Sequence, residues 1–186
     1  MRRRKMGLAT VHADRLGRGS VAGMSLTENY LLTACASTSI MHGFLDWQKL
    51  RDQTRAIIEQ YNVKTSGPEN SADSLSGGNL QKFIIGREIT QGPTVLICFY
   101  PTWGVDVGAA NQIHQELAAL RDTGTGILVI SEDLDELYLL SDRLGAICRG
   151  KVSPVESKSG VSVNQLGQWM AGDFEDDATR ETEDAH

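Results

Sequence analysis

Apolar residues change their spacing near Leu75. From about 24 to 70 the pattern is helical. Ser25-Leu26-Thr27-Glu28 reads as a capping box, in which the serine hydroxyl accepts a first-turn N–H and the glutamate reaches back to the serine N–H. Asp46 is placed to cap a second helix, on which Trp47, Leu50, Ile57, Ile58 and Tyr61 recur at helical spacing. Gly67-Pro68 breaks the chain after it. From Leu75 onward, helices alternate with short apolar runs. Leu80, Phe83 and Ile84 suit one face of a helix opening at Asn79. The run 94–100, preceded by Gly92-Pro93, predicts a buried strand, and 126–131 a second. Between them Ile113, Leu117 and Leu120 mark a helix ending near Gly124. A short helix is expected over 133–140, a third strand over 144–148 and a last helix over 163–171. This alternation points to an α/β fold with a mostly parallel, helix-covered sheet.

Composition and charge narrow this picture only slightly. With 186 residues, 40% hydrophobic and 23% charged, the chain has the make-up of one globular domain, or a domain plus a tail. The net charge of −6 has a single source: residues 173–186 carry seven acids against one arginine, and the rest of the chain is neutral. That end reads as an acidic, disordered tail. A neutral body argues against a nucleic-acid partner despite the short basic run Arg2 to Lys5. No apolar segment follows that run, so it is not a secretory signal, and no stretch approaches the ~20 apolar residues of a membrane span. Cys35, Cys98 and Cys148 are odd in number and widely spaced, which speaks against disulfides and zinc. Cys98 is expected in the core, and His114 and Trp103 at the surface. Asp133, Asp135 and Glu136 read as favourable charge at a helix start rather than as a metal site.

The segment with the most specific chemistry is Leu75-Ser76-Gly77-Gly78-Asn79, followed by Gln81. A serine and two glycines at a helix start present several backbone N–H groups in the positive field of the helix dipole, a phosphate-binding arrangement. The segment resembles the signature motif of ABC-transporter ATPase domains, usually LSGGQ. The order after it also matches. Pro101-Thr102-Trp103-Gly104-Val105-Asp106-Val107-Gly108 resembles the family's P-T-x-G-L-D segment, which contains the D-loop. Residues 127–133 stand at the place of the switch strand. Asp142-Arg143 and Arg149-Gly150-Lys151 follow like the later strands. Upstream, Val11-His12-Ala13-Asp14-Arg15 looks like V-P-E-D-R, and Met24-Ser25-Leu26-Thr27-Glu28-Asn29 like M-S-x-x-E-N. These are features of the second cassette of tandem importer ATPases for simple sugars and nucleosides. Residues 167–172, reading GQWMAG, match a common ending, so the resemblance spans about 7–172.

The departures are equally informative. The chain contains no GxxxxGK(S/T), the loop that cradles phosphates in these ATPases, and the resemblance places that loop upstream of Met1. The Walker B carboxylate places hold Phe99 and Tyr100, which neither bind Mg²⁺ nor act as a base at neutral pH. Glu132 stands at the switch histidine place and Ala13 at the Q-loop place.

The fold class expected from the resemblance is therefore an incomplete P-loop NTPase-type ABC cassette over 1–172. A helical signature subdomain would cover about 20–78, the later core strands and helices 79–172, and the acidic tail 173–186. In ABC dimers the signature of one cassette faces ATP bound by the other. The resemblance thus implies that Ser76, Gly77, Gly78, Asn79, Gln81 and Asp106 serve a partner cassette's nucleotide, with no intact catalytic residue here. ATP and Mg²⁺ would be held mainly by the partner, and this chain alone would be inactive. The implied setting is the cytoplasmic face of the cell membrane, bound to transmembrane permease subunits that import nucleosides or simple sugars. The alternative expectation is a truncated, non-catalytic remnant or interaction protein.

Overall fold

A computed structural model describes residues 2–34, 40–41 and 44–174. Cys35 and the acidic run 175–186 lie outside the described residues. The chain divides into two compact units, Met1–Ile130 and Ser131–His186.

In the first unit, a short helix α1 (Arg2–Lys5) leads into β1 (Leu8–Val11). Helix α2 (Leu26–Ala34) follows. Its capping box forms as expected: the Glu28 carboxylate accepts from Ser25 N and Oγ at 2.8 Å each, and Ser25 Oγ accepts from Glu28 N at 3.1 Å. After a two-residue pair, β2 (Ile40–Met41) and β3 (Phe44–Leu45), comes α3 (Trp47–Gln60), capped by Asp46 through Lys49 N at 3.0 Å. Then come α4 (Gly77–Ile89), β4 (Val95–Phe99), α5 (Val107–Asp122) and β5 (Gly126–Ile130). The sheet is parallel with order β1-β4-β5. Its register pairs Leu8 with Val95, and Val95 with Gly126.

Helix α4 is the centre of this unit. Residues 81 to 88 are all buried, on every face of the helix. Leu80, Phe83, Ile84 and Ile85 are enclosed, as are Leu96 and Cys98 on β4, Leu50 and Ile57 on α3, and Ile113 and Leu117 on α5. The buried charges at the C-terminal end of α4 are matched by partners, as the desolvation cost requires. Arg87 donates to Gly19 O at 2.8 Å, Asn29 O at 3.3 Å and Glu88 Oε1 at 3.0 Å. Glu88 also accepts from Arg4 Nη1 of α1 at 2.8 Å.

Several sequence expectations are revised. Helix α4 opens at Gly77, two residues before Asn79, because Ser76 is its N-cap. β1 lies outside the strands that the apolar runs predict, and it pairs in parallel with β4. β5 is an edge strand with no fully buried residue, and Leu128 is 52% exposed. The strand expected over 144–148 is two fragments, β6 (Arg143–Leu144) and β7 (Ile147–Cys148), neither in the parallel sheet.

Those fragments belong to the second unit. It begins with α6 (Leu134–Leu140), capped by Asp133 through Glu136 N at 3.1 Å. β6 pairs antiparallel with β9 (Glu156–Ser157), and β7 with β8 (Lys151–Val152). Helix α7 (Val163–Ala171) closes on Gly172 at φ 93°, the left-handed residue that ends many helices. Leu144, Ala146, Val161, Leu166 and Trp169 form this unit's core. No helix among the described residues is long and apolar enough to cross a membrane.

Candidate functional site

The Ser76–Asn79 turn and the Gly104–Asp106 turn form opposite walls of one open cavity of about 370 Å³. Two helix N-termini meet there. Ser76 caps α4, and Asp106 caps α5 through Ala109 N at 2.9 Å. Both dipoles therefore put partial positive charge at the cavity. Lys64 and Lys82 line it as well.

Asn79 organises the Ser76–Asn79 turn. Its Oδ1 accepts from Lys64 N at 2.8 Å, and its Nδ2 donates to Ser76 Oγ at 2.8 Å. The backbone donor fixes which end of the amide is oxygen. Ser76 Oγ therefore accepts from Asn79, which leaves its own O–H available to donate. The N–H groups of Gly77 and Gly78 belong to the first helical turn and have no intrahelical acceptor. Gly78 is tightly placed: a Cβ there would lie 3.1 Å from Gly104 O. The glycines thus let the two walls approach closely. A hydroxyl, two unsatisfied N–H groups and a helix terminus make a donor set that fits an anionic phosphate.

Asp106 is exposed and lies 3.7 Å from Lys82 Nζ. The Ala109 N–H, with the Lys82 ammonium behind it, holds its carboxyl below the usual aspartate range, so it is ionised at neutral pH. Gln81 differs from the other expected site residues. It is 1% exposed, and both ends of its amide are engaged. Oε1 accepts from Arg15 Nε at 3.0 Å, while Nε2 donates to Pro101 O at 2.9 Å. It ties α4 to the turn after β4 and presents no atom to the cavity.

Phe99 and Tyr100 sit at the C-terminal end of β4. The Phe99 ring is parallel to that of His12, with centroids 6.4 Å apart. Tyr100 has φ +50° and meets Trp103 edge-on at 6.3 Å. Their aromatic surroundings offer no oxygen cage for a hard cation. Glu132 is exposed, in the second unit. Among the described residues no cluster of three His, Cys, Asp or Glu could hold a metal. Trp103 is 71% exposed, as expected.

Arg15 ends the V-P-E-D-R-like segment, and that resemblance gives it no role at the site. Besides Gln81 it donates through Nη2 to the carbonyl of Trp103. Its guanidinium also lies against Gly77 and Gly104.

The α/β fold with its parallel sheet resembles part of an ABC cassette. The chain covers 83% of its length against a dimeric post-hydrolysis ATP-binding cassette bound to ADP and Pi, with TM-score 0.69 and 18% identity over 64% of that chain. An ATP-binding subunit of an ABC transporter gives TM-score 0.69 at 17% identity, covering 89% of this chain and 68% of that one. No protein-family model matches. In sequence the chain is 41% identical over 163 residues to the nucleoside import ATP-binding protein NupA of Lactococcus lactis, covering 87% of this chain and 32% of that protein. It is 35% identical over 173 residues to the guanosine import ATP-binding protein NupO of Bacillus subtilis, covering 92% and 34%. The galactose/methyl galactoside import ATP-binding protein MglA of Escherichia coli is 34% identical over 160 residues, covering 86% and 32%. The chain is a homologue of these ABC import ATP-binding proteins, and it spans about a third of their length.

Proposed function

We propose that this chain is the signature-bearing part of an ABC ATP-binding protein that energises import of nucleosides or simple sugars. The observation that carries the reading is the cavity between Ser76–Asn79 and Asp106. There the Ser76 hydroxyl, two N–H groups without intrahelical acceptors and two helix N-termini line one space. In this reading that face closes over ATP held by a partner cassette. Ser76 and the Gly77 and Gly78 amides meet the γ-phosphate, where charge builds during transfer. Asn79 orients the serine, Gln81 fixes the helix behind it, and Asp106 reaches toward the partner's site.

The chain's own catalytic positions are inert in this proposal. Its 186 residues hold no GxxxxGK(S/T), and Phe99, Tyr100 and Glu132 stand where carboxylates and a histidine act in the family. ATP would supply the phosphoryl group and Mg²⁺ would offset its charge, both held mainly by a partner cassette. The helical region of about 20–78 would dock on transmembrane permease subunits at the cytoplasmic face of the cell membrane. The chain alone should show no ATP turnover. Fused to the part of the L. lactis relative that lies outside the match, it should support turnover. Turnover by the isolated chain that a Gly77 substitution abolishes would overturn the proposal. A folded fusion that is inactive would favour a non-catalytic remnant.

A further inference from the structure

We propose that Arg15 is a positioning residue that sets the separation of the two cavity walls, and hence the reach of Ser76. This rests on the reading of the cavity as a phosphate-facing site.

The guanidinium lies between the walls and bonds to both sides. Nε donates to Gln81 Oε1 on α4 at 3.0 Å. Nη2 donates to the Trp103 carbonyl on the facing turn. Gln81 in turn donates to Pro101 O at 2.9 Å, two residues before Trp103. Arg15 and Gln81 therefore hold the 101–103 turn from both ends. That turn delivers Gly104 and Asp106 to the cavity.

The guanidinium also fills the space that both glycines leave. A Cβ at position 77 would lie 2.7 Å from Nη1, closer than van der Waals contact allows, and one at 104 would lie 3.3 Å from Nη2. Gly104 has φ +64°, so the turn needs glycine there on backbone grounds too. Gly77 has no such backbone demand, and the Arg15 guanidinium is the group a side chain there would meet. A side chain at 77 would therefore displace the guanidinium from its place between the walls.

Chemistry favours arginine for this task over any other side chain. A planar fork donates in two fixed directions at once, whereas lysine offers a single ammonium on a flexible stem. A lysine at 15 would hold Gln81 or Trp103 O, not both. Burial lowers the Arg15 pKa from its ordinary value, but arginine stays charged throughout the neutral range.

The test has two parts. In the isolated chain, amide exchange by NMR reads the walls directly. Arg15→Lys should speed exchange at Leu80, Trp103 and Val105, whose N–H groups bond within the two turns, and leave α3 unchanged. Gly77→Ala should lower the unfolding midpoint in the native background and lose most of that effect alongside Arg15→Ala. Equal effects in both backgrounds, with unchanged exchange, would overturn the proposal. In the fusion with the L. lactis segment, Arg15→Lys should lower kcat about tenfold, as a misplaced group does. The KM for ATP should stay within about twofold, because ground-state binding lies with the partner. A native fusion without turnover defeats the proposed function and leaves Arg15 to the exchange and the double-variant comparison. A native fusion that turns over equally with Arg15→Lys defeats the positioning role alone.

Discussion

Replacing Arg87 with methionine removes the charge at the centre of the first unit. Arg87 is 2% exposed and Glu88 is 0% exposed. The change strips donors from Gly19 O and Asn29 O and leaves Glu88 with Arg4 alone, at 2.8 Å. Burial itself pushes the Arg87 guanidinium below its ordinary pKa, and the Glu88 carboxylate opposes that shift. The isolated arginine is therefore unfavourable and the pair tolerable. Removing one partner of such a buried pair costs about 3–5 kcal/mol. Against a typical stability of about 5–15 kcal/mol this is a large fraction. With a urea dependence of about 2 kcal/mol per molar, the midpoint should fall by roughly 2 M. Urea titration followed by far-ultraviolet circular dichroism measures it, since α2, α3 and α4 supply much of the helix signal. The double variant Arg87→Met/Glu88→Leu removes both charges and should recover most of the loss, as apolar replacement of buried pairs does. A single-variant loss under about 1 kcal/mol, or a double variant no better than the single, would refute the claim that the loss comes from breaking a buried charge pair.

Two further outcomes follow from the same core. Gly86→Ala should destabilise, although alanine gains about 1 kcal/mol over glycine inside a helix. The new methyl would lie 2.5 Å from the Tyr61 ring and 2.9 Å from Ile57, and overpacking of this kind costs about 1–3 kcal/mol. A stabilised variant in thermal unfolding would contradict the packing described. Tyr61 is buried with its hydroxyl donating toward Glu116 at 3.4 Å, and burial followed by the Glu116 charge raises its pKa above that of an ordinary phenol. Its contribution is therefore complete below about pH 10 and is lost as pH rises toward the folded-state value. Tyr61→Phe should flatten the alkaline limb of a stability–pH profile; an unchanged limb would count against it.

What was legible in the sequence was local. Ser25 with Glu28, and Asp46 with Lys49, are caps formed within one turn, so the letters suffice. A helix start near Ser76–Asn79 was legible because its serine and glycines are contiguous, although the helix opens at Gly77 and not at Asn79. What escaped depends on distant partners. β1 is four residues of modest hydrophobicity, and its strand character comes from pairing with β4, some 87 positions away. The stretch 144–148 is apolar but bends at Gly145, whose added Cβ would meet Val155 at 3.0 Å. Leu144 then turns into the core of the second unit, while Ile147 is 68% exposed. Gln81 was placed with the nucleotide-facing residues because it follows the signature. The helical turn carries it inward instead, to Arg15 and Pro101. No local pattern relates Arg15 to Gly77, because their relation is steric and exists only once β4 and α4 have packed.

The proposed function requires that the chain act through the Ser76–Asn79 turn and not through Phe99 and Tyr100. The direct measurement is ATP turnover by the fusion with the L. lactis segment, comparing Ser76→Arg with Tyr100→Phe. Ser76→Arg places a bulky side chain in the cavity and should abolish turnover. Tyr100→Phe removes a phenol that has no role as a base at neutral pH and should leave the rate within about twofold. An unaffected rate with Ser76→Arg, or a rate lost with Tyr100→Phe, would contradict the account.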